Sequence, residues 1–314
     1  MTGPTPTPSP TSPALPMRVA ITGSTGLIGA ALVDRLRTEG HTVSRLVRSR
    51  AKAGPGDVMW DPGAGTIDAA ALEGVDAVVH LAGENVGTRW TEQKKRQIME
   101  SRVNGTRLIA QTVAGLQRKP RVLVQASATG IYGDRGDEAV DESSVPGTGF
   151  LADVGRQWEA ASAPAEQAGI RVVKLRFGVV LSRKGGALQR LLLPFQMGVG
   201  GPIGSGRQWM PWLSLPDAVE IVLAAIRDDR LRGPVNAIAG SARNADFTTA
   251  LGRAVNRPAL IPVPGFGLRL VFGQMADEAL LAGQRAEPRR LREIGFTYRH
   301  PTLDDALHAA LRDR

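Results

Sequence analysis

The chain has 314 residues, enough for one large α/β domain or two smaller ones, and its 42% of hydrophobic residues is sufficient for a sizeable core. It contains no cysteine, which excludes a disulfide framework and any thiolate metal site and fits a cytoplasmic protein. The net charge is +9, but the basic residues are mostly single arginines spread along the chain, and the densest group, Arg285 to Arg292, is interrupted by Glu287 and Pro288, so nucleic acid is not an expected partner.

Residues 1–16 are rich in Pro, Thr and Ser and lack the basic and apolar regions of a signal peptide; they read as a disordered tail ahead of a fold that begins at Met17. From there β-rich runs at 17–22, 42–47, 76–81, 121–126 and 171–176 alternate with helical stretches at 27–39, 91–114 and 154–168. Strands separated by helices imply parallel βαβ units, hence an α/β, doubly wound parallel-sheet (Rossmann) fold over 17–182. After residue 182 glycines and prolines cluster, which marks a loop-rich substrate-side region over 183–257, with 210–240 returning to the core. A proline-bounded loop, PALIPVPGFG, then opens a small helical C-terminal domain over 258–314. No apolar run reaches the ~18 residues that span a bilayer, so no membrane partner is expected. The four histidines (41, 80, 300, 308) are too scattered for a metal site.

The first strand runs into TGSTGLIG and then a helix. Gly23 lets the chain turn off the strand, Gly26 removes a side chain where backbone meets phosphate, and Gly29 permits close helix–sheet packing. Together with Ser24, Thr25, Leu27 and Ile28 they form a turn that offers free N–H groups and a positive dipole end to a pyrophosphate. The second strand ends at Val47-Arg48-Ser49-Arg50, and no acidic residue stands between Gly40 and Gly56. An acid there would hold a ribose 2′-hydroxyl; Arg48, or less favourably Arg50, suits a 2′-phosphate instead. The expected cofactor is therefore NADP(H).

The three-and-three glycine spacing of TGxxGxxG resembles the short-chain dehydrogenase/reductase superfamily. HLAGEN at 80–85, SRVNGTRLI at 101–109, SATGIYG at 127–133, LRFGVVLS at 175–182 and GGPIGSGRQWMPWLSLPD at 200–217 follow in order and resemble its extended, epimerase/dehydratase branch. The pairing of HLAGEN with SRVNGT and the tail from GFGLRLVFGQM onward are similar to an atypical epimerase-like family with its own small C-terminal domain. The resemblance covers about 17–308. It implies that Leu81, Ala82 and Gly83 pass the cofactor, that Arg102 reaches its phosphates and that Val180 borders the nicotinamide half. It also implies that Glu84, Asn85, Arg207 and Trp212 face a small-molecule substrate. As for assembly, a monomer or homodimer is expected.

The superfamily's Tyr-x-x-x-Lys pair is absent. Counting back from Glu159, its slots hold Leu151 and Gly155, neither of which carries a proton. The remaining hydroxyl candidates are Ser127, to polarise a carbonyl, and Tyr132, as a substitute acid. Asp217 reads as a helix cap. Two functions stay open: an NADP(H)-dependent oxidoreductase or epimerase-like enzyme with an atypical acid–base set, or a non-catalytic NADP(H)-binding sensor.

Overall fold

The computed structural model describes residues 15–49 and 53–312; most of the expected N-terminal tail, and Arg50, lie outside the described residues. Its strands are β1 (Arg18–Thr22), β2 (Thr42–Val47), β3 (Val58–Asp61), β4 (Thr66–Ile67), β5 (Ala77–His80), β6 (Val122–Ala128), β7 (Ala139–Val140), β8 (Arg171–Phe177), β9 (Val179–Leu181), β10 (Trp209–Ser214), β11 (Gly233–Ala237), β12 (Gly240–Arg243) and β13 (Arg285–Ala286). The α-helices are α1 (Leu27–Thr38), α2 (Glu92–Gly115), α3 (Phe150–Ala160), α4 (Ala163–Gln167), α5 (Gly186–Gln196), α6 (Leu215–Arg227), α7 (Asn244–Ala254), α8 (Gly265–Phe272), α9 (Arg289–Glu293) and α10 (Leu303–Arg312).

Eight strands form one sheet in the order β11-β8-β6-β5-β1-β2-β3-β4, parallel except for the β3–β4 edge pair. The chain winds outward from β1 through β2 and β3, then crosses back to β5 and winds the other way. That reversal opens a crevice at the carboxyl ends of β1 and β5, the switch point where ligands of open α/β sheets sit. Alternation along the strands fills both faces. Val19, Ile21, Val79 and Val124 meet Leu32 and Leu36 of α1 and Ile221 and Val222 of α6 on one side. Ala20, Val78 and Leu123 meet Ile109 and Val113 of α2 on the other.

The helix expected over 154–168 is two helices. Pro164 stands in the first turn of α4, where its missing N–H costs nothing, and Ser162 turns the chain by donating to the Glu159 carbonyl. A second sheet, β12-β10-β9, carries a separate apolar core of Leu188, Phe195, Trp212, Phe247 and Leu307. From β10 the chain runs through α6 to β11, which returns it to the main sheet beside β8.

The C-terminal segment is tied down by Asp217. Ser214 caps α6 by accepting from the Asp217 N–H, and the fully buried Asp217 carboxylate accepts from the N–H groups of Arg299 (2.7 Å) and His300 (3.1 Å). Asp217→Ala strands those donors and should cost about 2–4 kcal/mol. Denaturant melts check the magnitude. Limited proteolysis should find new cleavage between Ile294 and Pro301; an unchanged digestion pattern would remove Asp217 from this role.

Candidate functional site

The glycine turn is set by close contacts. Gly23 has φ +67°, and a Cβ there would stand 2.8 Å from the Leu81 carbonyl carbon. A Cβ on Gly29 would overlap the Gly23 carbonyl oxygen, so α1 starts directly on the turn. The Gly26 N–H donates back to the Gly23 carbonyl at 2.9 Å, leaving Gly26 at the N-cap with no side-chain cap and no acid in the first turn of α1. The helix therefore presents bare N–H groups and its positive end at the crevice. Ser24 is buried, Leu27 and Ile28 are partly buried, and Thr25 and Gly26 are exposed.

Arg48 is exposed just past β2, and its side chain makes no hydrogen bond or ion pair among the described residues. The next acid along the chain, Asp57, is already committed: Arg45 Nε donates to it at 3.0 Å, the Gly54 N–H at 2.8 Å, and a second Arg45 nitrogen closes a bidentate pair. Burial opposes the Asp57 charge, but the bonds from Arg45 and Gly54 outweigh it and hold its pKa below the usual carboxylate range.

On the other wall, the Thr22 hydroxyl accepts from the N–H groups of Leu81 (3.1 Å) and Ala82 (3.2 Å) and lies 2.7 Å from His80 Nδ1. With both lone pairs taken, its proton goes to Nδ1, which places the imidazole proton on Nε2, a buried atom with no partner. Burial, with the nearby Arg102 charge, pushes the His80 pKa from 6.5 down to about 4. The segment continues over Arg102, whose guanidinium lies 3.3 Å from where a Gly83 Cβ would be. Arg102 stacks 4.9 Å from the Trp158 ring centre and donates to the carbonyls of Glu84 (2.9 Å) and Ile98 (3.2 Å). Burial pushes its pKa down to about 10. Glu84 extends its carboxylate to Lys94, a bond that lowers the Glu84 pKa, while Asn85 is exposed and accepts from the Gly87 N–H at 2.8 Å. Val180, in β9, is partly buried against the main core.

Several expected site residues stand elsewhere. Trp212 is 4% exposed, packed in the β9–β10–β12 core. The less buried tryptophan of that strand is Trp209, which is half-buried: Asp137 accepts from its Nε1 at 2.8 Å, and Arg243 and Arg285 lie 4.7 and 5.3 Å from its ring centre. Its partners are remote in sequence, so no local pattern announces it. Arg207, two residues earlier, is exposed.

The two hydroxyls expected to catalyse are inside the protein. Ser127, 3% exposed, donates to Glu159 at 2.7 Å; Glu159 is gripped by Arg176 at 2.8 and 2.9 Å; Arg176 donates to the Tyr132 hydroxyl at 2.9 Å; and Tyr132, fully buried, donates to Asn236 at 2.7 Å. Burial pushes the Tyr132 pKa up to about 12. Both hydroxyls are thus bonded around a buried ion pair rather than exposed at the crevice. The Tyr-x-x-x-Lys slots are also filled. A Cβ on Gly155 would stand 2.8 Å from Ile131 Cβ, and Glu278, brought by a π-helical turn (Ala276–Leu281), accepts from the Leu151 N–H at 2.8 Å at the start of α3.

A doubly wound sheet with a glycine turn at its switch point defines the Rossmann class. Residues 19–237 match the model of the NAD dependent epimerase/dehydratase family, and residues 263–310 that of a domain of unknown function. The chain belongs to the NAD dependent epimerase/dehydratase family. An epimerase family protein of Mycobacterium bovis is 47% identical over 292 residues, covering 92% of this chain and 96% of the relative. The crystal structure of human epimerase family protein SDR39U1 (isoform 2) with NADPH is 36% identical with a TM-score of 0.86, over 95% of this chain and 100% of that one. UDP-glucuronic acid 4-epimerase from Bacillus cereus, in complex with UDP-glucuronic acid and NAD, shares the fold at 19% identity and TM-score 0.74, over 94% and 98% of the two chains.

Two predictions come from the buried groups. The folded state keeps His80 neutral to about pH 4, whereas the unfolded chain protonates it near 6.5. The associated stability is present above pH 6.5 and is lost as the pH falls toward 4, by about 3 kcal/mol. His80→Asn, which still accepts from Thr22, should flatten that slope in denaturant melts across the window; a slope equal to wild type would refute the assignment. Arg176→Leu leaves Glu159 buried and uncompensated, and should cost about 3–5 kcal/mol against about 1 for Ser127→Ala. Equal, small losses in urea titrations would contradict the network.

Proposed function

We propose that this chain is an NADP(H)-dependent oxidoreductase or epimerase-like protein whose acid–base groups are not the Tyr-x-x-x-Lys pair. The observation that carries the reading is the bare N-terminus of α1, held against the crevice by Gly23 and Gly29. The residues present fit the cofactor. The turn from Gly23 to Gly29, with Ser24, Thr25, Gly26, Leu27 and Ile28, would bind the pyrophosphate through backbone N–H groups. Arg48, unpaired and without a competing acid, would bind a 2′-phosphate. Arg102, a desolvated cation bonded only to carbonyls, gains from an anion nearby, and Leu81, Ala82, Gly83 and Val180 would line the remainder. The human relative crystallised with NADPH supports the same choice. When bound, the nicotinamide supplies the hydride chemistry. Glu84 with its Lys94 partner, Asn85 and Arg207 are the polar side chains left for the substrate side.

A second reading, a non-catalytic NADP(H)-binding protein, is favoured by one observation: Ser127 and Tyr132 are consumed in the core. Calorimetric titration tests the binding. Arg48→Ala should weaken NADPH about tenfold or more, ~1.4 kcal/mol, while leaving NADH nearly unchanged; equal effects on both would overturn the 2′-phosphate assignment. Single-turnover oxidation of bound NADPH across a panel of carbonyl compounds separates the readings, since the sensor transfers no hydride to any of them.

A further inference from the structure

We propose that the face built by α5, the segment 257–263 and α8 docks on an anionic phospholipid surface. None of the eight residues of α8 is buried, although six of its residues, Phe266, Leu268, Leu270, Val271, Phe272 and the stem of Arg269, offer apolar surface. Leu270 is 77% exposed, Phe266 75%, Leu260 81%, Leu193 62% and Met197 61%. The three segments are joined. Arg257 Nε donates to the Gln196 carbonyl at 3.1 Å and the Ile261 N–H to the Gly200 carbonyl at 3.2 Å, which sets the 257–263 segment against the end of α5. Arg89 donates to the carbonyls of Leu270 (2.7 Å) and Val271 (3.2 Å) and Arg190 of α5 to that of Gly87, so the loop after β5 links α5 to α8.

Charge names the occupant. Arg89, Arg190 and Arg257 are exposed, and among the described residues their guanidinium groups bond only to backbone carbonyls. No acidic residue occurs between Glu166 and Asp217, or between Asp246 and Asp277, the stretches that supply α5, the 257–263 segment and α8, and Asp277, which follows α8, is paired with Arg269. Apolar side chains beside uncompensated cations match the acyl boundary and headgroups of an anionic leaflet. A second copy of this chain fits poorly, because an isologous contact would set like-charged faces together. Side chains exposed by more than half also point outward, whereas the wall of a small-molecule cleft would shelter them. No helix among the described residues is long and apolar enough to cross a membrane, so the contact lies on the surface.

Flotation of the full chain with phosphatidylcholine vesicles, with and without one-quarter phosphatidylglycerol, tests this. The protein should float with the anionic vesicles, fall away at high salt and ignore phosphatidylcholine alone. Phe266→Ser/Leu270→Ser and Arg190→Gln/Arg257→Gln should each reduce flotation about tenfold or more, with circular dichroism and NADPH affinity unchanged. Leu193→Ser/Met197→Ser repeats the test from α5 should the α8 pair unfold. Absence of wild-type flotation, or flotation indifferent to all three pairs, would overturn the proposal. So would a dimer that Phe266→Ser/Leu270→Ser dissolves without any vesicle binding, since the face would then be a self-association surface.

Discussion

The rest of the molecule is organised around one steric contact, the stacking of Gly23 between Leu81 and Gly29. Because neither glycine has a Cβ, α1 begins directly on the turn after β1, and the strand end at Leu81 passes within van der Waals distance of it. That closeness fixes the direction of the α1 axis and brings its uncapped N-terminus to the crevice. It also lets Thr22 hold the Leu81 and Ala82 amides, so the loop that follows inherits its course from the same turn. Arg102, Glu84 and Arg89 are positioned as consequences of that course. A methyl group at either glycine displaces backbone, not a pliable side chain.

The opposite half of the crevice is organised by charge. Glu159 and Arg176 are buried together, and such a pair persists only when each remaining donor and acceptor is satisfied. Ser127, Tyr132 and Asn236 meet that demand, and the Asn236 side chain passes the chain of bonds on to the Glu287 carbonyl. Glu278 does the equivalent at the start of α3. Thus the C-terminal part is joined polar group by polar group to the helix that elsewhere in the superfamily holds the proton donor. The hydroxyls that look reactive in sequence are bonded within this network, whereas Asn85, on the loop after β5, and Arg207, ahead of β10, are exposed.

How far the sequence discloses this depends on the range of the interaction. The five central strands and α1 and α2 are legible because short β-rich runs and glycine spacing are local signals, and Gly23, Gly29 and the acid-free end of β2 need no knowledge of the fold. The break between α3 and α4 was readable at Pro164 but is masked by the helical pattern on either side. The roles of Ser127 and Tyr132 are not legible, because they depend on Arg176 and Asn236, 44 or more residues beyond Tyr132. Trp209 and Trp212 sit three apart on one strand. Only tertiary packing decides that the first is flanked by arginines and the second enclosed. The exposed apolar face is similarly invisible, since a proline-bounded loop and a following helix say nothing of whether their apolar side chains are covered.

The packing of Gly155 against Ile131 limits which side chains that position can accept. The obstacle to a side chain there is not only the Ile131 Cβ but the Ile131 Cα, 3.2 Å from the same point. Trimming the isoleucine would therefore not reopen the slot; the backbone of the turn between Thr129 and Tyr132 would have to retreat, and Tyr132 anchors the buried ion pair. Single substitutions therefore cannot place a lysine there without first passing through a destabilised core.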